Sequence, residues 1–315
     1  MPSLRIIFCG TPEFAVPSLR RLAQSPEFSV EAVITQPDRP RGRGQVVSGS
    51  PVKEAALELG LHVYQPETIK SDSSQEFLKR MAPDAVVIIA YGQIIPARLL
   101  AIPRLGWINL HASLLPRYRG AAPIHWAVAN GETVTGLTTM QIDAGMDTGP
   151  TLLRTEVEIG RDETAPELAA RMSLIGSGLI ADSLLRFDRG EVSPAPQDGR
   201  LASLAPILKK ENGRIDWGLT AREIYNRMRG FAPWPGSYTT FRGQTCHLWG
   251  RPGTPETPGT INSVGEMAVS KSEVHVLCGA GTWLRLESVQ LEGRKKTSAR
   301  EFANGARIVL NDRFV

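Results

Sequence analysis

Apolar residues form short continuous runs in the first two thirds of the chain and shorter β-rich runs in the last third, with different punctuation between them. Leu4 to Cys9 is an apolar run that stops at Gly10, and Phe14, Leu19 and Leu22 follow at helical spacing within Glu13 to Gln24, so the opening predicts strand, turn, helix. The pattern recurs. Val30 to Ile34 predicts a strand, Ser50-Pro51 a capped helix running to Leu59, and Ala85 to Ala90 a strand buried on both faces. Strands alternating with helices predict a parallel sheet covered by helices on both sides. Trp107 to Leu110 predicts a further strand that delivers His111 to the carboxyl edge, where open α/β sheets bind ligands. Val134 to Ile142 and Leu152 to Val157 predict two more strands, and Thr164 a cap for a long helix to about Arg186.

Gly190 to Pro206 shows no period and predicts a linker. Beyond it, Thr220 to Glu223 and Ser298 to Glu301 are capping boxes for two short helices. Between those helices, β-rich runs near Tyr238 to Phe241, Thr245 to Trp249, Val274 to Cys278 and Trp283 to Val289 are spaced as in a small barrel or sandwich. The expected division is a first domain over residues 1–189, a linker over 190–208 and a second domain over 209–315.

A length of 315 residues accommodates two such cores. The net charge of +4 conceals an asymmetry: residues 1–205 hold 20 basic and 22 acidic side chains, residues 206–315 hold 16 and 10. A basic last third suits a polyanionic partner. Three scattered cysteines offer neither a CxxC pair nor a disulfide framework, and the start carries no signal-like layout, so a reducing, cytoplasmic setting with no membrane is expected.

The first turn, GTPEFA, has no second or third glycine, which argues against a nicotinamide or flavin site. Walker A, HExxH and GxSxG motifs are also missing. Chemistry concentrates instead in WINLHASLLPRYRGAAP, from Trp107 to Pro123, and in QIDAGMDTGP, from Gln141 to Pro150. Asn109 and His111 are two apart and share one face of a strand. The glycine-bearing loop lets Asp143 or Asp147 reach back over the strand ends. Together they make an acyl-transfer set with no protein nucleophile: donors for an oxyanion, a titratable imidazole, and a carboxylate to orient it or take a proton. No second histidine is spaced to complete a metal site, and none is expected.

These residues resemble a known pattern. Asn109-Leu-His111, Ser113-Leu-Leu-Pro116-Arg-Tyr-Arg-Gly120 and Asp147-Thr-Gly are similar to the signature of the folate-dependent formyltransferases, and the opening Phe8 to Pro17, the loop Thr35 to Gly44 and Gly230 to Gly236 resemble the tRNA-acting branch of that family. The resemblance implies a Rossmann-like parallel-sheet formyltransferase domain followed by a small OB-like β-barrel domain. It also implies Asn109, His111 and Asp147 as catalytic residues, with Asp147 fixing the His111 tautomer. By the same resemblance Ser113, Leu114, Leu115 and Pro116 bind the folate, and Ile89, Ala90, Tyr91 and Gly92 are expected to wall its pterin ring.

The implied donor is 10-formyltetrahydrofolate and the implied acceptor the α-amine of methionyl initiator tRNA, with the chain acting as a monomer. Arg39, Arg41 and Arg43 in a basic loop, Lys209 and Lys210 at the linker exit, and Arg294, Lys295 and Lys296 near the end are the candidate tRNA contacts. Two alternatives remain open: a formyltransferase or hydrolase acting on another amine or on the folate itself, and a non-catalytic RNA-binding protein. The intact Asn109, His111 and Asp147 set weighs against the second.

Overall fold

The protein is described here by a computed structural model covering residues 3–41, 46–256, 261–270, 272–309 and 312–315, with Arg41 and Val46 described by backbone alone. The chain divides into two compact units. One comprises Met1–Pro123, Val134–Glu158 and Glu167–Pro206, the other Ile124–Thr133, Ile159–Pro166 and Ile207–Val315.

The first unit opens with β1 (Leu4–Gly10), a single 3₁₀ turn, α1 (Val16–Gln24) and β2 (Phe28–Ile34). A small ribbon of β3 (Arg39–Arg41) and β4 (Val46–Ser48) leads to α2 (Pro51–Glu58), β5 (Val63–Tyr64), α3 (Asp72–Met81) and β6 (Ala85–Ile89). Then come α4 (Ala97–Leu100), β7 (Trp107–His111), α5 (Pro123–Ala129), whose residues beyond Pro123 fall in the second unit, β8 (Val134–Gln141), β9 (Thr151–Glu158) and α6 (Ala165–Asp188). The helices start where the side chains dictate: the Ser50 hydroxyl accepts from Lys53 N ahead of Pro51, and the Ser71 hydroxyl accepts from Ser74 N.

The sheet runs β5-β2-β1-β6-β7-β8-β9. The first five are parallel, as the alternation predicts, whereas β8 pairs antiparallel with both β7 and β9. The sheet is therefore mixed. All five residues of β6 are buried, as a strand covered on both faces requires. One face packs Ile7, Ile34, Val86, Ile88, Tyr91 and Trp107 into a common core, where the Trp107 indole N–H finds the Leu99 carbonyl at 2.9 Å. The strand order reverses between β1 and β6, and the ends of β1, β6 and β7 lie along one edge.

α6 is long and apolar enough to cross a membrane by length and composition, and half of its most apolar window is buried inside the fold. Its buried Leu168, Met172, Ile180 and Leu184 mark it as a core helix.

The second unit is built on α7 (Ala221–Gly230) and an antiparallel sheet of β10 (Tyr238–Phe241), β11 (Gln244–Pro252), β12 (Met267–Val269), β13 (Val274–Leu277) and β14 (Trp283–Leu291), ordered β10-β11-β14-β13-β12. β15 (Thr297–Ser298) pairs with β14, and α8 (Ala299–Ala306) follows. Both capping boxes form as read, Thr220 with Glu223 and Ser298 with Glu301. Residues 313–315 bridge both margins of the sheet: Thr240 and Val315 exchange backbone hydrogen bonds, and Phe314 N donates to the Gly265 carbonyl just before β12. Phe314 is buried against Trp217, Phe241 and Phe302.

Candidate active site

β7 delivers Asn109 and His111 to the carboxyl edge of the sheet on one face, because side chains two apart on a strand point the same way. His111 is 6% exposed. Its Nε2 lies 3.0 Å from the Tyr118 carbonyl oxygen, and its Nδ1 lies 3.7 Å from Asp147 Oδ2. A carbonyl only accepts, so Nε2 carries the hydrogen and donates it to Tyr118. In the neutral ring, Nδ1 is then a lone pair facing a carboxylate.

This changes one expectation. The contact that fixes the tautomer is Tyr118, not Asp147, because 3.7 Å is beyond a hydrogen bond. Tyr118 presents its carbonyl from a backbone at φ +58°, with its N–H held by the Ser203 hydroxyl at 2.9 Å. Asn109 is half-buried, and among the described residues its amide takes no hydrogen bond. An amide with no protein partner beside a buried imidazole is free to donate to water or to a ligand oxygen.

Asp147 sits in the connection between β8 and β9 at φ +53°. Its Oδ2 accepts the Gly120 N–H at 2.8 Å, which joins the aspartate loop to the segment following β7. Gly120 has φ +122°, and a Cβ there would stand 2.6 Å from the Ala205 carbonyl oxygen, so only glycine fits. Asp143, the other aspartate of the loop, spends Oδ1 on Gly145 N at 3.0 Å and on the Thr148 hydroxyl at 2.7 Å. It shapes the loop, leaving Asp147 to face the histidine.

The folate candidates separate by what they expose. Ser113 is fully buried, its hydroxyl donating to the Arg117 carbonyl at 2.6 Å. Leu115 is also buried, its N–H donating to the Thr138 hydroxyl at 3.1 Å, and that hydroxyl donates to the Ser113 carbonyl at 2.7 Å. Leu114 and Pro116 are half-buried.

Ile89 and Tyr91 differ from the expected wall. Both side chains are core, and burial, with Cys9 nearby, pushes the Tyr91 phenol far above its ordinary pKa. Neither exposes more than 2% of its surface, whereas Ala90, Gly92 and Ile94 are exposed. The Tyr91 carbonyl is itself taken by the Thr11 hydroxyl and the Gln36 amide, both at 3.1 Å.

Thr138, Tyr118, Gly120, Arg119 and Gln197 all support this site and escape the sequence reading. Tyr118, Arg119 and Gly120 lie within the contiguous motif, which marks the stretch but not the part each residue plays. Gln197 lies in a stretch without period and gives no signal.

Of the basic candidates, Arg39 is exposed on β3, Arg41 has a described backbone only, and Arg43 lies outside the described residues. In the second unit Lys209, Lys210, Arg294, Lys295 and Lys296 are exposed, and the Lys296 ammonium stands 3.8 Å above the Trp249 ring. Among the described residues no group of three or more His, Cys, Asp or Glu is placed to hold a metal ion.

Residues 4–183 match the family described as Formyl transferase, and residues 207–307 match Formyl transferase, C-terminal domain. The chain is 50% identical over 314 residues to a methionyl-tRNA formyltransferase of Solibacter usitatus, covering 98% of each chain. It is 49% identical to a methionyl-tRNA formyltransferase of Geobacter metallireducens, covering 98% of this chain and 97% of that one. An N-formyltransferase from Helicobacter canadensis, solved with folinic acid and dTDP-3-aminofucose, shares the fold with a TM-score of 0.64 at 18% identity, over 93% of this chain and all of that one.

Proposed function

The chain belongs to the formyl transferase family, and from that premise we infer that it moves the formyl group of 10-formyltetrahydrofolate onto the α-amine of methionyl initiator tRNA. The observation that carries the acceptor is identity of 49 to 50% along nearly the whole chain to proteins named for that reaction, second unit included. The observation that carries the site is His111, tied through Nε2 to Tyr118 and open through Nδ1 toward Asp147, beside the unengaged Asn109 amide.

The chemistry needs no protein nucleophile. The amine nitrogen bonds to the formyl carbon, the carbon–N10 bond of the folate breaks, and the proton the amine gives up ends on N10. Asn109 donates to the oxyanion of the tetrahedral intermediate. One such donor is worth about 2.7 to 4 kcal/mol of barrier. With Nε2 committed, His111 works through Nδ1, and Asp147 stands ready to take the amine proton or to stabilise the imidazolium that holds it.

The basic second unit and Arg39 are assigned to tRNA phosphate contacts, on charge and exposure. Action as a monomer in the cytoplasm belongs to the same proposal. The small-amine and folate-hydrolase alternatives are not favoured, since the relatives at 49 to 50% identity along nearly the whole chain are named for the tRNA reaction.

The deciding experiment offers 10-formyltetrahydrofolate with charged initiator tRNA, charged elongator methionine tRNA and free methionine in parallel. Formylation confined to the initiator is the expected result. Loss of formyl from the folate with no tRNA product would keep the chemistry and overturn the acceptor.

A further inference from the structure

The segment after α6, which reads as a linker, is stitched into the site along much of its length. Ala195 and Thr151 exchange backbone hydrogen bonds at 2.8 Å each way. The Arg119 N–H donates to the Ser203 carbonyl at 2.8 Å, and the Arg119 carbonyl accepts from Ala205 N at 2.7 Å. Between these anchors, Gln197 reaches the aspartate loop. Its Nε2 donates to the Asp147 carbonyl at 2.9 Å and to the Gly149 carbonyl at 2.7 Å. Its Oε1 accepts from Arg119 Nε at 3.2 Å and from an Arg119 terminal nitrogen at 2.8 Å.

We propose that Gln197 is a positioning residue for Asp147, and that Arg119 sets the direction of its amide. A guanidinium only donates and a peptide carbonyl only accepts, so the amide has one orientation in which all four hydrogen bonds are made. In that orientation both amide hydrogens hold the loop from the outside, at carbonyls on either side of Thr148. The loop needs holding because Asp147 is at φ +53°, a left-handed conformation that aspartate adopts more readily than most L residues but that still costs energy and persists when the surroundings fix it. From inside the loop, the Gly120 N–H fixes Oδ2. Arg119 and Gly120 are consecutive, so one short stretch controls both ends of Asp147: its carboxylate directly, and its backbone through Gln197.

Gln197 touches the loop through carbonyls alone and acts on the reaction only through where Asp147 stands. The inference rests on the assignment of Asp147 to proton transfer, and Asp147→Asn in the same assay separates the two. Gln197→Glu keeps the shape and the acceptor for Arg119 and removes both amide donors. We expect it to lower kcat between about tenfold and 100-fold, as a displacement of about an ångström in a reacting group does. KM for the folate and the tRNA, and Tm, should stay at wild-type values. Gln197→Ala, which also removes the acceptor for Arg119, carries the same test if the glutamate variant fails to fold. Wild-type kcat in either folded variant, a loss confined to KM, or a loss that tracks a fall in Tm overturns the proposal. Wild-type kcat in Asp147→Asn would instead remove its premise.

Discussion

Nδ1 of His111 stands 3.7 Å from Oδ2 of Asp147 while Nε2 of the same ring is held at 3.0 Å by the Tyr118 carbonyl. The ring cannot turn to close that gap without giving up Tyr118, and 3.7 Å leaves no room for a heavy atom between the two, so a substrate atom that used both groups would have to sit to one side of the line joining them. Asp147→Asn is expected to lower kcat by about 10² to 10⁴, the usual range for a lost acid or base, with tRNA affinity preserved. Asn109→Ala should lower it by about 10² to 10³ with little change in KM, since its donor acts on charge that appears only in the transition state. Steady-state kinetics with both substrates varied checks each.

Gly120→Ala adds a Cβ into the Ala205 carbonyl at a backbone angle unsuited to alanine. Destabilisation of about 1 to 3 kcal/mol is expected from the backbone conformation alone, together with a fall in kcat as the N–H that holds Asp147 shifts. Urea unfolding and kcat, measured on the same preparation, should change together.

Acid should loosen the second unit at Asp312. Its carboxyl is held below the usual carboxylate range, first by hydrogen bonds from the Arg242 guanidinium and further by the Val309 N–H. A folded value below the unfolded one, about 3.9 for aspartate, means the stabilisation is complete above that pH and fades as pH falls through the folded value. Asp312→Asn should therefore show its largest Tm deficit near neutral pH, shrinking below about pH 4. A deficit independent of pH would assign the effect to something other than the carboxylate charge.

If the second unit grips phosphates, the logarithm of the tRNA association constant should fall linearly with the logarithm of salt concentration. Lys296→Ala should make that slope shallower by about one unit, the share of a single lysine–phosphate pair, and leave kcat at saturating tRNA unchanged. An unchanged slope would mean that the Lys296 charge serves only the Trp249 ring beneath it.

Much of the first sheet is legible because its central strands are continuous apolar runs, and such runs leave few options besides a strand covered on both faces. Direction is less so. Strand periodicity says nothing about polarity, and the antiparallel turn of β8 and β9 follows from the short connection between Gln141 and Thr151, too short for a helical crossover. The histidine and asparagine are readable from their spacing on β7, whereas the glycines leave Asp143 and Asp147 both open and only the family resemblance selects Asp147. Tyr118 and Gln197 are not, since one acts through a backbone carbonyl and the other through a side chain that bonds to backbone. Tyr91 misleads because an aromatic beside a glycine looks like a ligand wall, whereas the chain turns at Ala90, φ +48°, and sends the ring into the core.

Residues 313–315 supply partners to both β10 and the approach to β12. A nascent polypeptide therefore carries two unpaired strand margins from the time β14 is made until Phe314 has emerged from the ribosome. Open margins of this kind are templates for pairing with other chains. The exposure ends only when those residues arrive, so a variant lacking residues 313–315 would leave the same margins open for pairing with other chains.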